Sequence, residues 1–268
     1  MFQKELNIAK NASLEAGRKI FEIYKSNKFE EASKLDNTPI TRADQASQDI
    51  LIDHLGDLGV PILSEEQEDD LSRIGANSLW IVDPLDGTMD FIKKTDDFSI
   101  MIGLVENGEV KLGVVCAPAK DKIYYAVKDR GAFVEDLDGS NKKELRVSEN
   151  SGLVQARPVF SRFHLGKKEQ MLLSAIGISD YNKMGSGGLK MSSIAAGESD
   201  FYVSFTDKMR EWDTCASEII LKEAGGMVTD LDGESLQYNK EDTRQSRGIL
   251  ASNAALHLEL IKLIKKFL

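Results

Sequence analysis

Trp80-Ile81-Val82-Asp83-Pro84-Leu85-Asp86-Gly87-Thr88 is an apolar run that ends in two carboxylates separated by a proline. Trp80 to Val82 fits a strand buried on both faces. Pro84 fixes its own φ and has no N–H, so the stretch predicts a backbone turn here. A turn can aim Asp83, Asp86 and the Leu85 carbonyl at one point, and such a set of hard oxygens suits Mg²⁺ better than a soft or zinc-preferring metal. If a short helix opens at Gly87 and Thr88, its first N–H groups can cradle a phosphate. Asp-Pro-x-Asp-Gly is also ordinary turn chemistry, and taken alone the stretch supports either reading.

Other acids stand at element boundaries. Leu63 to Asp70, L-S-E-E-Q-E-D-D, follows a predicted strand. Glu65 and Glu66 fall at the strand end, where a scaffold can hold a carboxylate, whereas Glu68, Asp69 and Asp70 read as a solvated loop. E-W-D-T-C-A-S puts Asp213 at a helix start, where an N-cap needs no further function. Thr41 followed by Asp44 resembles a capped start of the same kind. His54, His164 and His257 are scattered without ligand spacing, so no zinc site is expected.

Around these motifs the chain divides into two patterns. Leu6 to Tyr24 carries apolar residues at three- and four-residue steps and predicts an amphipathic helix, broken over Ser33 to Pro39. A second helix runs from Thr41 to near Gly59. Val60–Leu63 and Leu79–Val82 read as strands. Phe98–Val105 and Val110–Cys116, joined by E-N-G-E, predict a hairpin, and Ile123–Val127 with Ala132–Val134, joined by K-D-R-G, predict another. Residues 1–150 are therefore expected to form an antiparallel sheet laid on two helices. Residues 151–268 alternate: strand Pro158–Ser161, helix Lys167–Ile176, a strand near Tyr181, helix Gly188–Ala196, strand Phe201–Phe205, helix Thr214–Ala224 stopped by Gly225 and Gly226, strand Gly248–Ser252, helix Ala254–Phe267. The second lobe reads as mixed α/β, with ligands expected in the cleft between lobes.

Composition narrows the classes. The 268 residues are 41% apolar and 29% charged, which suits a globular protein with a sizeable core and not a disordered or fibrous one. A formal charge of −10 disfavours binding to a nucleic-acid polymer or an anionic membrane, and a small anionic substrate would need cations to help it bind. Cys116 and Cys215 lie in apolar contexts and read as two buried thiols in a reducing compartment. The N-terminus lacks a continuous apolar segment and no run reaches about 18 apolar residues, so a cytoplasmic protein without a membrane span is expected, and assembly as a homodimer is left open.

The order Asp44, Glu65-Glu66, Asp83-Pro-Leu-Asp-Gly-Thr88, Trp212-Asp213, Gly225-Gly226 resembles the inositol monophosphatase superfamily of magnesium-dependent, lithium-sensitive phosphatases. The resemblance covers nearly the whole chain, and D-P-x-D-G-T alone would arise by chance in about one chain in ten thousand of this length. Within the superfamily, three stretches look like the 3'(2'),5'-bisphosphate nucleotidase branch, the CysQ type: M-D-F-I-K-K from Met89 to Lys94, G-V-V-C-A-P from Gly113 to Pro118, and G-S-G-G-L-K-M-S-S-I-A-A-G from Gly185 to Gly197. Inositol phosphatases usually carry Asp where Lys190 stands, while Met89 departs from the Lys often found in the nucleotidase branch.

The resemblance implies a sugar-phosphatase fold, α/β (α+β) and layered αβαβα, with two or three Mg²⁺ per site. Glu65, Asp83 and the Leu85 carbonyl match the ligands of a first metal, and Asp83, Asp86 and Asp213 those of a second. Thr88 and Asp44 match the pair that orients and deprotonates the attacking water, with Glu66 either a third-metal or water-positioning residue or a surface acid. Glu65, Asp86, Gly87, Thr88, Ser186, Lys190 and Asp213 are implied to meet the substrate. Lys93, Lys190 and Arg210 are candidates for a second phosphate or a base, against solvated surface. The implied activity removes the 3'-phosphate of adenosine 3',5'-bisphosphate, with its sulfate ester as a further substrate and sulfur metabolism as the setting. An inositol or sugar monophosphatase of the same fold is the alternative, and a non-catalytic acidic metal binder a third reading, disfavoured by the presence of Thr88 and Asp44.

Overall fold

The computed structural model describes residues 2–26, 29, 32, 33, 39–163 and 165–268. Most of the predicted break at Ser33–Pro39, and His164, lie outside them. The chain opens with α1 (Gln3–Ser26), continues through the short antiparallel pair β1 (Ala32–Ser33) and β2 (Pro39–Ile40), and enters α2 (Arg42–Gly56). A seven-stranded sheet follows: β3 (Ile62–Ser64), β4 (Ser78–Asp86), β5 (Ser99–Glu106), β6 (Glu109–Ala117), β7 (Lys122–Val127), β8 (Ala132–Glu135) and β9 (Lys143–Glu144), paired in chain order, with α3 (Thr88–Lys93) inserted after β4. Both predicted hairpins form. Asn107 and Gly108 take φ of 54° and 77°, the double left-handed turn that suits the twist of β5 and β6. The exception to antiparallel order is β3, which runs parallel to β4.

The second half supplies β10 (Val159–Ser161), α4 (Lys167–Ile176), β11 (Asn182–Met184), α5 (Gly187–Ala195), β12 (Phe201–Ser204), α6 (Cys215–Glu223), β13 (Gly226–Thr229), β14 (Ile249–Asn253) and α7 (Ala254–Ile264). Strands β12, β14 and β13 form an antiparallel sheet, and the parallel pair β10–β11 joins it through a bridge between Pro158 and Phe201. Strands β9 and β13 were not legible as strands: β9 is two exposed polar residues, and Gly226 reads as a helix stop.

Side-chain alternation builds the layers. Trp80, Val82, Ile100, Ile102, Leu112 and Val114 point toward Leu6, Ala9, Ala16 and Ile20 of α1 and Leu51 and Leu55 of α2. Leu79, Ile81, Met101 and Val115 point the other way, into a core shared with α5, α6, the second sheet and Leu256, Leu260 and Ile264 of α7. The result is α, β, α, β, α, as expected. Helix α6 lies against the sheet itself: a Cβ on Gly103 would come 2.4 Å from Cys215 Sγ, and one on Gly113 2.1 Å from the Ala216 carbonyl. Cys116 and Cys215 are buried free thiols, and burial pushes Cys116 up to about 12. Among the described residues no helix is long and apolar enough to cross a membrane.

Candidate active site

Strand β4 does not turn at Pro84. It continues to Asp86 through a bulge: Asp83 pairs with Met101 and Asp86 with Ser99, three steps on one strand against two on the other. Proline is tolerated because a bulge leaves its position without a ladder bond. The extra residue has a chemical consequence. Residues i and i+3 of a regular strand face opposite sides, whereas the bulge re-aims the strand end and lets Asp83 and Asp86 serve the same side. Ser47 of α2 donates to the Pro84 carbonyl at 2.7 Å, and the Leu85 N–H donates to Asp83 Oδ1 at 3.0 Å, which together hold the bulge.

Parallel pairing then brings in the second acid. Ser64 aligns with Val82, so Glu65, whose N–H donates to the Val82 carbonyl, emerges beside Asp83. Helix α6, seated on Gly103 and Gly113, brings Asp213 from the second half of the chain. Carboxylate oxygens of Glu65, Asp83 and Asp213 all lie within 4.8 Å of one another. Burial first, then the charges of Glu65, Asp86 and Asp213, pushes Asp83 well above the usual carboxylate range, and burial with Glu65 beside it pushes Asp213 up to about 8. Two unit charges at this spacing repel by about 3 kcal/mol at an effective dielectric near 20, so the cluster suits a bound cation. The converging groups are three carboxylates without thiol or imidazole, which fits a hard divalent ion.

Asp213 is not a helix cap. Thr214 holds that position without a side-chain capping bond, its Oγ1 donating instead to the Glu211 carbonyl at 3.2 Å, and Asp213 Oδ2 accepts from the Arg210 N–H at 2.6 Å. Asp86 is fixed from α5, where Ser186 donates its hydroxyl and Gly188 its N–H at 2.9 Å. A Cβ on Gly188 would come 2.9 Å from Met101 Sδ and 3.1 Å from Ser99 Oγ, so glycine leaves this approach uncrowded. Gly87, at φ 92°, precedes α3 and leaves room for the Asp97 carbonyl, which a Cβ would meet at 2.7 Å.

The predicted cap at Thr41 is present and complete. Asp44 Oδ2 accepts the Thr41 N–H at 2.7 Å and hydroxyl at 2.8 Å, leaving Oδ1 to face Thr88. Thr88 Oγ1 stands 3.3 Å from that oxygen and 3.2 Å from the Leu85 carbonyl, so its proton has two acceptors. Burial pushes Asp44 up to about 6 against the lowering effect of its bonds to Thr41.

Some sequence candidates stand apart. Glu66 is half-buried and lines a shallow depression with Gln45, Gln48 and Asp49 on the α2 side; it is not one of the three converging carboxylates. Lys93 is exposed on α3. The Arg210 guanidinium turns to Thr243 Oγ1 at 3.2 Å and Asp242 at 3.8 Å. Lys190 is 3% exposed, donates to the Gly185 carbonyl at 2.6 Å, and lines a cavity of about 640 Å³ together with Asp86 and Asp213. Asp69, expected in a solvated loop, instead holds the buried Arg73, which also donates to Asn239 and the Lys240 carbonyl. Ser47, Ser99 and Arg162 support the site without a sequence signal, being single polar residues whose partners are distant in the chain. His54 pairs with Glu15, and His257 is buried between Thr229 and Ser252.

The sequence profile of the inositol monophosphatase family matches residues 2–267. A 3'(2'),5'-bisphosphate nucleotidase CysQ of Buchnera aphidicola is 39% identical over 228 residues, 84% of this chain and 83% of that protein. A fructose-1,6-bisphosphatase/inositol-1-monophosphatase of Thermotoga maritima is 35% identical over 230 residues, 85% of this chain and 82% of that protein. The solved structure of CysQ from Bacteroides thetaiotaomicron, a bacterial member of the inositol monophosphatase family, superposes with a TM-score of 0.81 at 31% identity, covering 94% of this chain and 98% of that one.

Proposed function

Because the chain belongs to the inositol monophosphatase family, we propose that it is a Mg²⁺-dependent phosphatase that converts adenosine 3',5'-bisphosphate and water to AMP and phosphate, and accepts the sulfate ester of that nucleotide as well. The observation that carries the substrate assignment is Lys190. Its ammonium is buried beside Asp86 and Asp213, and burial lowers its pKa while the acids around it oppose that shift. A carboxylate at this position, as inositol phosphatases usually have, would add another like charge to an acidic cluster. An ammonium instead favours a more highly charged anion. The first reading also agrees with the names of the Buchnera and Bacteroides relatives. A sugar-phosphate reading is favoured by the Thermotoga relative.

In this reading Glu65, Asp83 and the Leu85 carbonyl hold one ion, and Asp83, Asp86 and Asp213 another. Mg²⁺, when bound, supplies positive charge that acidifies the attacking water and offsets charge on the leaving oxygen. Thr88 accepts a hydrogen bond from that water and passes its own proton toward Asp44 Oδ1, the oxygen that Thr41 leaves available. Asp44, raised toward neutrality by burial, is matched to a base working near pH 7. Water adds to phosphorus, the bond from phosphorus to the 3' oxygen breaks, and that oxygen takes a proton. The Gly87 and Thr88 N–H groups at the start of α3 face the phosphate, and Ser186 keeps Asp86 in place. Glu66, which lies apart from the converging carboxylates, has no step in this reading. Sensitivity to lithium belongs to the same reading.

Phosphate release with Mg²⁺ from adenosine 3',5'-bisphosphate, its sulfate ester, inositol 1-phosphate, fructose 1,6-bisphosphate and NADP tests the assignment. The nucleotide bisphosphate should have the highest kcat/KM and yield 5'-AMP. Faster turnover of inositol 1-phosphate at equal concentration would overturn the nucleotide assignment, and no release from any of them would favour a plain metal binder.

A further inference from the structure

Arg73 is the only buried arginine among the described residues, and it lies in the segment between β3 and β4 that begins with Glu65. A buried guanidinium is costly unless its donors are met, and here they are. Nε and Nη2 hold Asp69 Oδ2 at 3.1 and 2.7 Å, Nη1 donates to Asn239 Oδ1 at 2.8 Å, and Nη2 also donates to the Lys240 carbonyl at 2.8 Å. The pairing with Asp69 stays within the segment. The other two bonds cross to a loop from the second half of the chain, and Asn239 answers with Nδ2 at 3.4 Å from the Arg73 carbonyl.

That loop is clamped from a second direction. Glu211, fully buried, accepts the Asn239 N–H on one carboxylate oxygen at 2.7 Å and the Lys240 N–H on the other at 3.0 Å. Residues 239 and 240 are thus shared: Arg73 takes their oxygens and Glu211 their amides. Glu211 is not one of the converging carboxylates, but it stands two residues before Asp213. Its carbonyl accepts the Thr214 and Cys215 N–H groups at 3.3 and 2.9 Å, which fixes the turn that leads from Asp213 into α6. Asp69 alone would neutralise Arg73. The additional bonds specify which two segments meet, and buried ionic groups are better explained by what they specify than by net stability.

We propose that Arg73 and Glu211, joined through residues 239 and 240, form a bridge that sets Asp213 at the separation from Glu65 that a shared divalent ion needs. Arg73 is a positioning residue, acting on the site through this loop and Glu211. The proposal rests on the metal-dependent phosphatase reading above.

The test measures Mn²⁺ binding without substrate, from the electron paramagnetic resonance of the free ion, beside melting temperature and the Mg²⁺ dependence of phosphate release. The proteins are the parent chain, Arg73→Met, Glu211→Gln, the double variant of these two, and Asn239→Gly. The glycine keeps the left-handed backbone at φ 62° and the amide that Glu211 uses, and removes only the side-chain acceptor of Arg73, so it decides the matter if Arg73→Met does not fold. Arg73→Met should raise the Kd for Mn²⁺ about tenfold, as when groups that orient metal ligands are lost, and Asn239→Gly should raise it by less. The Mg²⁺ concentration for half-maximal activity should rise in parallel. The double variant should bind Mn²⁺ no more weakly than the weaker single variant, because either change opens the same bridge. A lower melting temperature with unchanged Kd, or losses that add in the double variant, would overturn the bridge and leave the proposed function standing. The expected Kd pattern in a parent that releases phosphate from no substrate would keep the bridge and overturn the phosphatase reading. A parent that binds no Mn²⁺ would overturn both.

Discussion

Ser186, the N-cap of α5, donates its hydroxyl to Asp86 at the end of β4, so a residue of the second half of the chain orients a carboxylate of the first. Ser186 is itself held: Ser99 Oγ lies 2.8 Å away, and the Ser186 N–H donates to the Asp97 carbonyl at 3.2 Å. Asp97 pairs with Lys120 at 2.8 Å and with Arg162, which also reaches Asp90 at 3.3 Å and the Lys183 carbonyl at 3.1 Å.

Arg162→Met should therefore loosen the Gly185–Gly188 loop without touching an acid of the site. We expect the Mg²⁺ concentration for half-maximal activity to rise about tenfold, as when groups that orient metal ligands are removed. Arg162→Lys should recover part of it. A lower melting temperature with unchanged Mg²⁺ dependence would make Arg162 merely structural.

Asp83→Asn should abolish nearly all activity, a loss of several kcal/mol in transition-state stabilisation, with the fold intact. It also removes one like charge from a buried cluster, so the metal-free protein should melt at the same or a higher temperature. Activity within about threefold of the parent would remove Asp83 from the site.

Thr88→Val should cost about 10²–10⁴ in kcat, the usual worth of a positioned proton-transfer group, whereas Thr88→Ser keeps the hydroxyl and most of the rate. Asp44→Asn should cost a similar factor. A Val variant as fast as the Ser variant would exclude the Thr88 to Asp44 proton path.

Gly113→Ala places a methyl where the Ala216 carbonyl now lies. Either α6 shifts, carrying Asp213 with it, or the protein loses about 1–3 kcal/mol through overpacking. Urea unfolding and kcat measured together should show at least one of these effects, and a silent substitution in both would mean that α6 is not seated as described.

His257 is buried with no counter-ion among the described residues, its Nδ1 2.7 Å from Ser252 Oγ and its Nε2 3.0 Å from Thr229 Oγ1, and burial lowers it to about 4. The unfolded chain, with histidine near 6.5, then binds the proton more readily. The stability His257 contributes is complete above about pH 6.5 and lost as pH falls toward 4, a difference of about 3 kcal/mol. Urea midpoints across this range should fall more steeply for the parent than for His257→Gln. Parallel slopes would show that another group controls the acid limb.

Much of the fold was legible because its signals are local. Asn107-Gly108 specifies a two-residue turn from its own backbone preferences, and Thr41 with Asp44 closes a cap within one turn of helix. The Trp80–Thr88 stretch is local in the same way, since the chain itself carries Asp83, Asp86 and Thr88 to one end of β4. The turn expected at Pro84 was a bulge, because a missing N–H ends a ladder bond without ending a strand when the partner strand can absorb an extra residue.

What only the tertiary structure decided is which distant groups meet. Glu65 joins Asp83 through the parallel register of β3 on β4, and Asp213 arrives because Gly103 and Gly113 let α6 lie on the sheet. Burial, charge and ligand contact depend on surfaces contributed by other parts of the chain, and hydrophobic periodicity specifies which face of an element is buried without specifying which element covers it.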